Sequence, residues 1–344
     1  MLKVVTVWNL MRPDEEFPDT VDGIELRGYN PDVFLTGEFA TRISEERIQP
    51  LSVGDIADKY CPVGRDLYYR KGAMRPGGQR GRGRSTWGRV AGNAVEAYLR
   101  SLLDVEHESS AGPSGGATFS ELRLAGTRRL DDFKLSHEQM VDDLSESERG
   151  AEGGKEGDTD WFLMLLKQNG IVELASRLFH SSARENGCVD YSDLSVNCVI
   201  NPTPQQIGLS SQVVADFMVS GSAMVGDVKT GTEFKPFHQL TCAGYALAYE
   251  NQLGVRGNMD WGVVYFLPTR NPSALVRPLT FAQVYIFPID DQIRDWFVHK
   301  RDEAYVLVSR GEPPALPSGG DKRHCPHCAF RDQCVSEGLD LGTS

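Results

Sequence analysis

The spacing of apolar residues changes along the chain, and the change predicts where helices and strands lie. In "GRVAGNAVEAYLRSLLDV", the apolar residues recur at helical spacing, which predicts a helix over about residues 88–104. From residue 194 onward, "LSVNCVINPTPQQIG", "QVVADFMV" and "AMVGDVKTG" are short runs rich in β-branched residues. The Gly-bearing turn "SGSA" joins the second run to the third, which predicts antiparallel strands.

The remaining pattern predicts how the core is completed. Helices are predicted over about residues 236–251 and 290–310, and strands at "WGVVYFLP" and "AQVYIFP". Upstream, Ser52 followed three residues later by Asp55 predicts a capped helix that ends near Cys61 and Pro62. This order of helices and strands predicts an α/β fold with a mixed central sheet flanked by helices.

Composition divides the chain into four segments. Residues 105–120 are rich in Ser and Gly, and the stretch from Glu138 to Asp160 holds nine acids and two bases. Both stretches have the composition of a solvated linker. We therefore expect an N-terminal segment at residues 1–104, an acidic insert or linker at 105–160, the core at 161–314 and a C-terminal segment at 315–344.

Length and charge narrow the class of protein. The 344 residues, 40% of them apolar, are enough to bury a sizeable core. No run of about 18 apolar residues is present, and the N-terminal stretch lacks the pattern of a cleaved signal peptide, so we expect a cytoplasmic protein with no membrane partner. The formal net charge of -12 disfavours nucleic-acid binding only if the charge is evenly spread.

A basic stretch between residues 70 and 89 shows that the charge is not evenly spread. It holds seven Arg or Lys residues and no acid, its cations are spaced by glycines, and Tyr68, Tyr69 and Trp87 flank them. Cations for phosphates and aromatic faces for bases suit a single nucleic-acid strand, although a solvated loop explains the composition equally well. The candidate nucleic-acid-binding residues are Arg70, Lys71, Arg75, Arg80, Arg82, Arg84 and Arg89.

A second cluster of charge lies at the end of an apolar strand. Asp227 and Lys229 are two positions apart, so both side chains leave one face of the sheet, and Asp216 lies on the neighbouring strand of the predicted hairpin. A buried carboxylate is costly unless a cation meets it. The pattern predicts a site that binds a hard divalent cation, Mg or Mn, and hydrolyses phosphodiester bonds. Lys229 would neutralise negative charge on the phosphate. A structural ion pair between Asp216 and Lys229 is the alternative.

Cysteine spacing predicts a third site. Seven cysteines in a long chain without a signal-like N-terminus argue against a disulfide framework. Near the C-terminus, Cys325, Cys328 and Cys334 have the spacing of metal ligands. Three thiolates need a fourth ligand, which His324 or His327 would supply for zinc. Cys188, Cys198 and Cys242 are expected to be ordinary buried thiols.

The acidic cluster carries a resemblance to a known family. Asp216, "GDVKTG" and a helix beginning "FHQLTCAGYALAYE" resemble the PD-(D/E)xK restriction-endonuclease-like core of RecB-type exonucleases. The family adds a ligand from an upstream helix, usually His, and "GNAVEAYL" places Glu96 there. The resemblance implies Glu96, Asp216 and Asp227 as metal ligands with Lys229 beside them. The family's Gln-x-x-x-Tyr motif is altered, because Ala243 follows Gln239 by four residues and Tyr245 lies beyond it. The resemblance still makes Gln239 and Tyr245 candidate catalytic residues that contact the substrate.

The cysteines extend this resemblance. They resemble those of a CRISPR-associated subfamily of RecB-like exonucleases, in which one N-terminal cysteine and a C-terminal triplet hold a 4Fe-4S cluster. "CPVGRDLYYR", which contains Cys61, resembles the archaeal-type branch in particular. The resemblance implies a cluster on Cys61, Cys325, Cys328 and Cys334 that joins the N- and C-terminal segments as a clamp. Zinc is the alternative.

Function is therefore expected at two levels. The residues favour metal-dependent phosphodiester hydrolysis, and the resemblance implies a DNA exonuclease acting on single-stranded or overhang ends. It also implies prespacer trimming in CRISPR adaptation, together with the CRISPR integrase complex. The alternative from another class is a catalytically silent nucleic-acid-binding subunit with a structural iron-sulfur or zinc site.

Overall fold

The structure is a computed structural model that describes part of the 344-residue chain. The described residues are 3–6, 20–21, 24–25, 41, 45, 48–57, 61–72, 96–97, 100, 124, 128, 194–231, 234–235, 237–255, 257–268, 283–320, 322, 325 and 328–340. Nearly all of the acidic insert, most of the predicted helix at 88–104 and most of the basic stretch lie outside these residues. In the described ranges, no helix is long and apolar enough to cross a membrane.

A mixed sheet forms the centre of the fold. The described strands are β1 (Lys3–Thr6), β2 (Thr20–Val21), β3 (Ile24–Glu25), β4 (Leu194–Ile200), β5 (Val213–Val219), β6 (Met224–Gly231), β7 (Trp261–Pro268) and β8 (Gln283–Pro288). Strands β2 and β3 form a separate two-stranded hairpin. The six-stranded sheet has the order β1-β8-β7-β6-β5-β4. Pairs β6/β7 and β1/β8 are parallel, and the other three pairs are antiparallel.

Helices cover the sheet and connect it to the two cysteine-bearing segments. They are α1 (Val53–Ala57), α2 (Arg65–Lys71), α3 (Pro204–Ile207), α4 (Phe237–Leu253), α5 (Asp291–Ser309) and α6 (Arg331–Ser336). A 3-10 turn at Ser220–Ser222 joins β5 to β6. The predicted capping box is present at α1, where the Ser52 hydroxyl accepts the Asp55 N–H at 3.1 Å and the Asp55 carboxylate accepts the Ser52 N–H at 2.8 Å.

Most predictions for the later half of the chain are confirmed. The antiparallel strands β4 to β6, the strands β7 and β8, and the helices α4 and α5 lie where periodicity placed them. The first predicted run is shorter than expected because its "PQQI" segment forms α3. The elements that were not predicted include the parallel edge strand β1 and the helices α2 and α6.

Close packing of α4 on the sheet determines the surroundings of the predicted site. An added Cβ at Gly262 of β7 would lie 3.1 Å from the Cys242 Cβ and 2.3 Å from the Phe287 ring. An added Cβ at Gly244 would lie 2.6 Å from the Phe297 ring. Only glycine leaves room for these approaches, and the helix side chains between them are almost all buried. Gly262 therefore lets α4 approach the sheet closely, and Gly244 lets α4 approach α5.

Candidate active site and cysteine region

The two predicted carboxylates on the sheet lie at the point where β5 and β6 separate. The pairing of β5 with β6 ends at Phe217 opposite Gly226, and a continued register would place Asp216 opposite Asp227. Instead, the Asp216 carboxylate accepts the backbone N–H of Val228 at 2.6 Å. The side chain of Asp216 therefore bridges to β6 where the backbone ladder stops, and this brings its charge next to Asp227.

Asp227 and Lys229 meet on one face of β6. The Lys229 Nζ lies 2.5 Å from the Asp227 Oδ2, and the side chains are 22% and 3% exposed. Oδ2 is a buried atom, and the Lys229 ammonium is the cation beside it. A buried carboxylate oxygen is costly without hydrogen bonds or a cation. The carboxylates of Asp216 and Asp227 converge beside this ammonium, and carboxylate oxygens are the donors that a hard divalent cation prefers.

A buried thiol shows that the three charges share one location. Burial raises the pKa of Cys242 well above its ordinary value, and the negative charges of Asp227 and Asp216 raise it further, whereas Lys229 lowers it. Cys242 lies on α4, and its S–H donates to the Val263 carbonyl at 3.7 Å. The charges of Asp216, Asp227 and Lys229 thus act together beneath α4. We call these three residues the sheet site.

Glu96 is not brought into the sheet site by any contact of the described residues. It lies on a helical turn, and its Oε1 accepts a hydrogen bond from the Arg100 Nε at 2.8 Å. Across the described ranges, no three His, Cys, Asp or Glu side chains form a group with the spacing of a metal site. Two carboxylates still suit magnesium or manganese, which are commonly bound by one or two carboxylates together with substrate phosphates. Glu96 as a third ligand stays a prediction.

The two predicted contact residues of α4 are buried. Gln239 is 3% exposed and Tyr245 is 7% exposed, and Tyr245 packs in the main hydrophobic core. The preceding residue, His238, is also buried, and it lies close enough to Lys229 for that charge to lower its pKa. The sequence analysis assigned no role to His238.

Three of the four predicted cluster cysteines, Cys325, Cys328 and Cys334, pack in one buried cluster, and the charge of Cys61 reaches Cys325 and Cys328. Cys61, Cys325 and Cys334 are buried and Cys328 is half-buried. Burial raises the pKa of Cys325, and the charges of Cys61 and Cys334 add to this. Burial likewise raises the pKa of Cys328 to about 11, with Asp66, Cys334 and Cys61 contributing. Four thiols near one another have the donor chemistry of a four-cysteine iron-sulfur site, although they are not spaced as a preformed metal group.

An ionic network joins the two chain segments that carry these cysteines. The Arg65 guanidinium of α2 donates to the Pro314 carbonyl, to the Tyr69 hydroxyl and to the Glu337 carboxylate. The Tyr69 hydroxyl donates to Glu337 at 2.7 Å. Sequence reasoning missed this network. The i, i+4 spacing of Arg65 and Tyr69 was a visible signal, but nothing local indicates that Glu337 is their partner. We call the four cysteines and this network the cysteine region.

Two residues of the predicted basic stretch belong to a structured network. Arg70 and Lys71 form the last turn of α2, and they pair with Asp55 at 3.0 Å and 3.4 Å. Burial alone would raise the pKa of Asp55, but Lys71, Arg70 and two hydrogen bonds from Ser52 together lower it. Arg70 and Lys71 therefore connect α1 to α2. Their predicted contact with nucleic acid is not tested by this pairing.

The aromatic part of that interpretation is wrong for two residues. Tyr68 and Tyr69 are 1% and 5% exposed, and they pack beside Cys325, Phe330 and Cys334 instead of presenting faces to bases. They are buried because α2 forms where the sequence suggested a loop. The rest of the candidate nucleic-acid-binding set lies outside the described residues, namely Arg75, Arg80, Arg82, Arg84 and Arg89.

Comparison with known proteins identifies one family. A family model described as CRISPR-associated exonuclease Csa1 matches residues 85–337. A curated protein named CRISPR-associated exonuclease Csa1, from Saccharolobus solfataricus, is 26% identical over 110 residues. That alignment covers 32% of this chain and 34% of the relative, so the chain spans about a third of the length of the curated protein. The family match includes the sheet site and the C-terminal cysteine triplet, whereas Cys61 precedes it.

Proposed function

Because the chain belongs to the CRISPR-associated exonuclease Csa1 family, we propose that it is a metal-dependent DNA exonuclease whose active site is the sheet site. The family description supports a CRISPR-related nuclease, and the sheet site supplies the chemistry for phosphodiester hydrolysis. One observation carries the assignment to these residues. The Asp216 carboxylate is held against β6 by the Val228 N–H, next to the buried Asp227 carboxylate whose Oδ2 lies 2.5 Å from the Lys229 Nζ.

The proposed site combines acidic ligands with a fixed cation. Asp227 and Asp216 would hold Mg or Mn, with Glu96 as the third protein ligand. When bound, such an ion supplies positive charge to the scissile phosphate and lowers the pKa of water. Lys229 places a second positive charge at the same point, which stabilises the negative charge that develops on the phosphate oxygens. The cover formed by α4 limits the access of solvent from that side, which strengthens these interactions.

The cysteine region is proposed to hold a structural 4Fe-4S cluster on Cys61, Cys325, Cys328 and Cys334. When bound, the cluster supplies four iron–thiolate bonds between the segment at residue 61 and the segment at residues 325–334. The Arg65 network holds the same two segments together through side chains. The cluster would act as a second clamp at that junction.

Substrate and partner follow from the same family. We propose single-stranded or overhang DNA ends as substrate, with the basic stretch between residues 70 and 89 contacting phosphates. The seven cations of this stretch and its glycines support binding to the backbone without sequence readout. Prespacer trimming alongside the CRISPR integrase complex is the proposed pathway.

The nuclease assignment is tested with end-labelled single-stranded DNA in manganese. Asp227→Asn and Lys229→Met should each lower the rate about 100-fold or more, because each removes a charge that stabilises the transition state. Asp260→Asn is the matched control, since Asp260 is exposed and lies at the other end of the neighbouring strand. Wild-type rates in both site variants would refute the assignment. A wild-type protein that binds DNA without cutting it would instead support the silent binding subunit.

The cluster is tested separately by metal content. Protein purified without oxygen should be brown and contain about four iron atoms per chain, as expected for a 4Fe-4S cluster. Cys328→Ser should lose the colour, whereas Cys198→Ser should keep it because Cys198 lies on β4. Colourless protein with stoichiometric zinc would establish the zinc alternative and rule out the cluster.

A further inference from the structure

His238 has a more defined environment than any other residue near the sheet site that has no assigned role. It lies at the start of α4 and is 6% exposed. Its ring stacks at 28° on Phe266 with centroids 5.8 Å apart, and it meets Phe234 and Phe237 edge-on at 5.1 Å and 4.7 Å. Aromatic contacts on several sides hold the ring in one orientation.

Backbone hydrogen bonding determines which ring nitrogen carries the proton. The Lys235 N–H donates to the His238 Nδ1 at 3.1 Å, and the His238 N–H donates to the Lys235 carbonyl at 3.0 Å. Since Nδ1 accepts a hydrogen bond, the proton of the neutral ring must lie on Nε2. Burial and the charges of Lys229 and Lys235 lower the pKa of His238 to about 4. The ring is therefore a neutral Nε2–H donor at physiological pH.

The position of the ring places this donor beside the proposed chemistry. Phe266, on which the ring stacks, is the register partner of Lys229 across β6 and β7. The charge of Lys229 reaches the ring strongly enough to lower its pKa. The Nε2 atom makes no hydrogen bond to a described residue. The same two lysine charges that disfavour an imidazolium would attract an anion to this point.

We infer that His238 is a substrate-contacting residue whose Nε2–H donates a hydrogen bond to a non-bridging oxygen of the DNA phosphate held beside Lys229. The inference rests on the proposed function, because it assumes that a phosphate occupies the sheet site. His238 acts as a neutral donor in this role. It neither transfers a proton nor ligates a metal, because its Nδ1 is engaged by Lys235.

Two substitutions separate this role from a structural one. In His238→Asn, the amide can replace Nδ1 and keep the bond from Lys235, but no atom remains at the Nε2 position. In His238→Gln, the longer amide reaches the Nε2 position and can donate, while the bond from Lys235 is lost. We expect kcat/KM to fall about 10- to 100-fold in the Asn variant and about threefold or less in the Gln variant. A purely structural role predicts the reverse order.

A second readout does not depend on turnover. Binding of a 5′-labelled single-stranded oligonucleotide is measured by fluorescence anisotropy in EDTA, with thermal melting of each variant as a folding control. The Asn variant should bind more weakly than the Gln variant and the wild type. If wild type cuts DNA and all three proteins bind and cut alike, the inference is wrong and the proposed function stands. If wild type does not cut but the binding order holds, the proposed function fails and the phosphate contact stands.

A substrate change tests the contact without altering the protein. Replacing one non-bridging oxygen at the cleaved linkage by sulfur weakens a hydrogen bond to that position. One of the two phosphorothioate isomers should therefore bind wild type in EDTA several-fold more weakly than the oxygen substrate does, and this difference should disappear in His238→Asn. Equal effects of each isomer on both proteins would overturn the inference, even if the variants prove unstable.

Discussion

The sheet site and the cysteine region both concentrate reactive side chains, but they are assembled in different ways. Asp216, Asp227 and Lys229 lie within one hairpin, and backbone pairing of β5, β6 and β7 brings them together. The cysteine region joins residues 61–72 to residues 314–339, which are far apart in sequence. There, side chains of Arg65 and Tyr69 donate hydrogen bonds that join the two segments.

Because the two regions are assembled differently, we expect different kinds of substitution to destabilise them. A site positioned by a backbone ladder is sensitive to steric change within the sheet, because strands cannot shift without losing their register. A junction held by side-chain charges is sensitive to the removal of one charged partner. The following substitutions test this contrast by their effect on the free energy of unfolding, in decreasing order.

The largest effect is expected at Gly226, next to Asp227. An added Cβ there would lie 1.8 Å from the Phe217 ring, which stacks on Tyr265 at 5.2 Å and has little room to move. We expect Gly226→Ala to lower the free energy of unfolding by about 2–3 kcal/mol, because overpacking a core forces side chains out of position. Urea denaturation measures this. Adding Phe217→Leu should recover part of the loss.

The control for this prediction is another glycine-to-alanine change. No atom lies within 4 Å of a Cβ added at Gly311, so Gly311→Ala should leave stability nearly unchanged. Equal effects at Gly226 and Gly311 would show that the close approach of Phe217 is not a constraint. The expectation that the sheet site is especially sensitive to steric change would then be wrong.

The next effect is expected in the cysteine region. Arg65 has a side chain that is 4% exposed, and Glu337 is 29% exposed. Glu337→Gln leaves the guanidinium without its charged partner, and we expect a loss of about 2 kcal/mol, less than for a fully buried pair because water reaches Glu337. Thermal and urea melts measure the loss. Nuclease activity well below the melting temperature should be retained, since the sheet site does not depend on this pair.

Glu312→Gln is the matched control for the Arg65 pair. Glu312 is exposed in the same C-terminal part of the chain, so its substitution should change stability by less than about 0.5 kcal/mol. If Glu337→Gln behaved in the same way, the side-chain network would not be what holds the two segments together.

A smaller, pH-dependent effect is expected where α1 meets α2. The pKa of Asp55 is lowered from its ordinary 3.8, so its ionised form stabilises the fold above about pH 4, and this contribution disappears as the pH falls through the lowered pKa. We expect Asp55→Asn to cost about 1 kcal/mol at pH 7, because its partner Arg70 is 41% exposed and the pair is partly screened. The difference from wild type should shrink below pH 4.

The neighbouring Asp66 should show the opposite trend. Burial raises the pKa of Asp66, so its ionisation costs stability as the pH rises through the range above 3.8. The loss of unfolding free energy caused by Asp66→Asn should therefore be smaller at pH 7 than at pH 3. Urea melts of both variants across this pH range measure the two trends, and parallel pH profiles would contradict the assigned shifts.

The smallest stability effect is expected at Glu96. Its i, i+4 pair with Arg100 is largely exposed, so Glu96→Gln and Arg100→Gln should each change stability by less than about 0.5 kcal/mol. The two variants should differ in the nuclease assay. Glu96→Gln removes the proposed third ligand and should lower the rate about 10-fold or more, whereas Arg100→Gln keeps the carboxylate and should cut normally. Equal rates would remove Glu96 from the site.

The sequence by itself determined the elements whose apolar residues recur at the regular spacing of a strand or a helix. Period-two and helical patterns located β4 to β8, α4 and α5, because a strand or helix that packs on a core must place its apolar residues at regular intervals. Asp227 and Lys229 could be assigned to one face of β6 for the same reason, since alternation along a strand is a local property.

The tertiary structure decided what depends on partners that are distant in sequence. Tyr68 and Tyr69 looked like exposed aromatic residues beside a basic loop, and they are buried because α2 packs against the segment around Phe330. Arg70 and Lys71 were grouped with that loop, but Asp55 binds them at the end of α2. The orientation of the His238 ring likewise depends on stacking against Phe266, which comes from another strand. The local spacing of apolar residues cannot predict such contacts, because they stabilise the protein only when separate segments fold against each other.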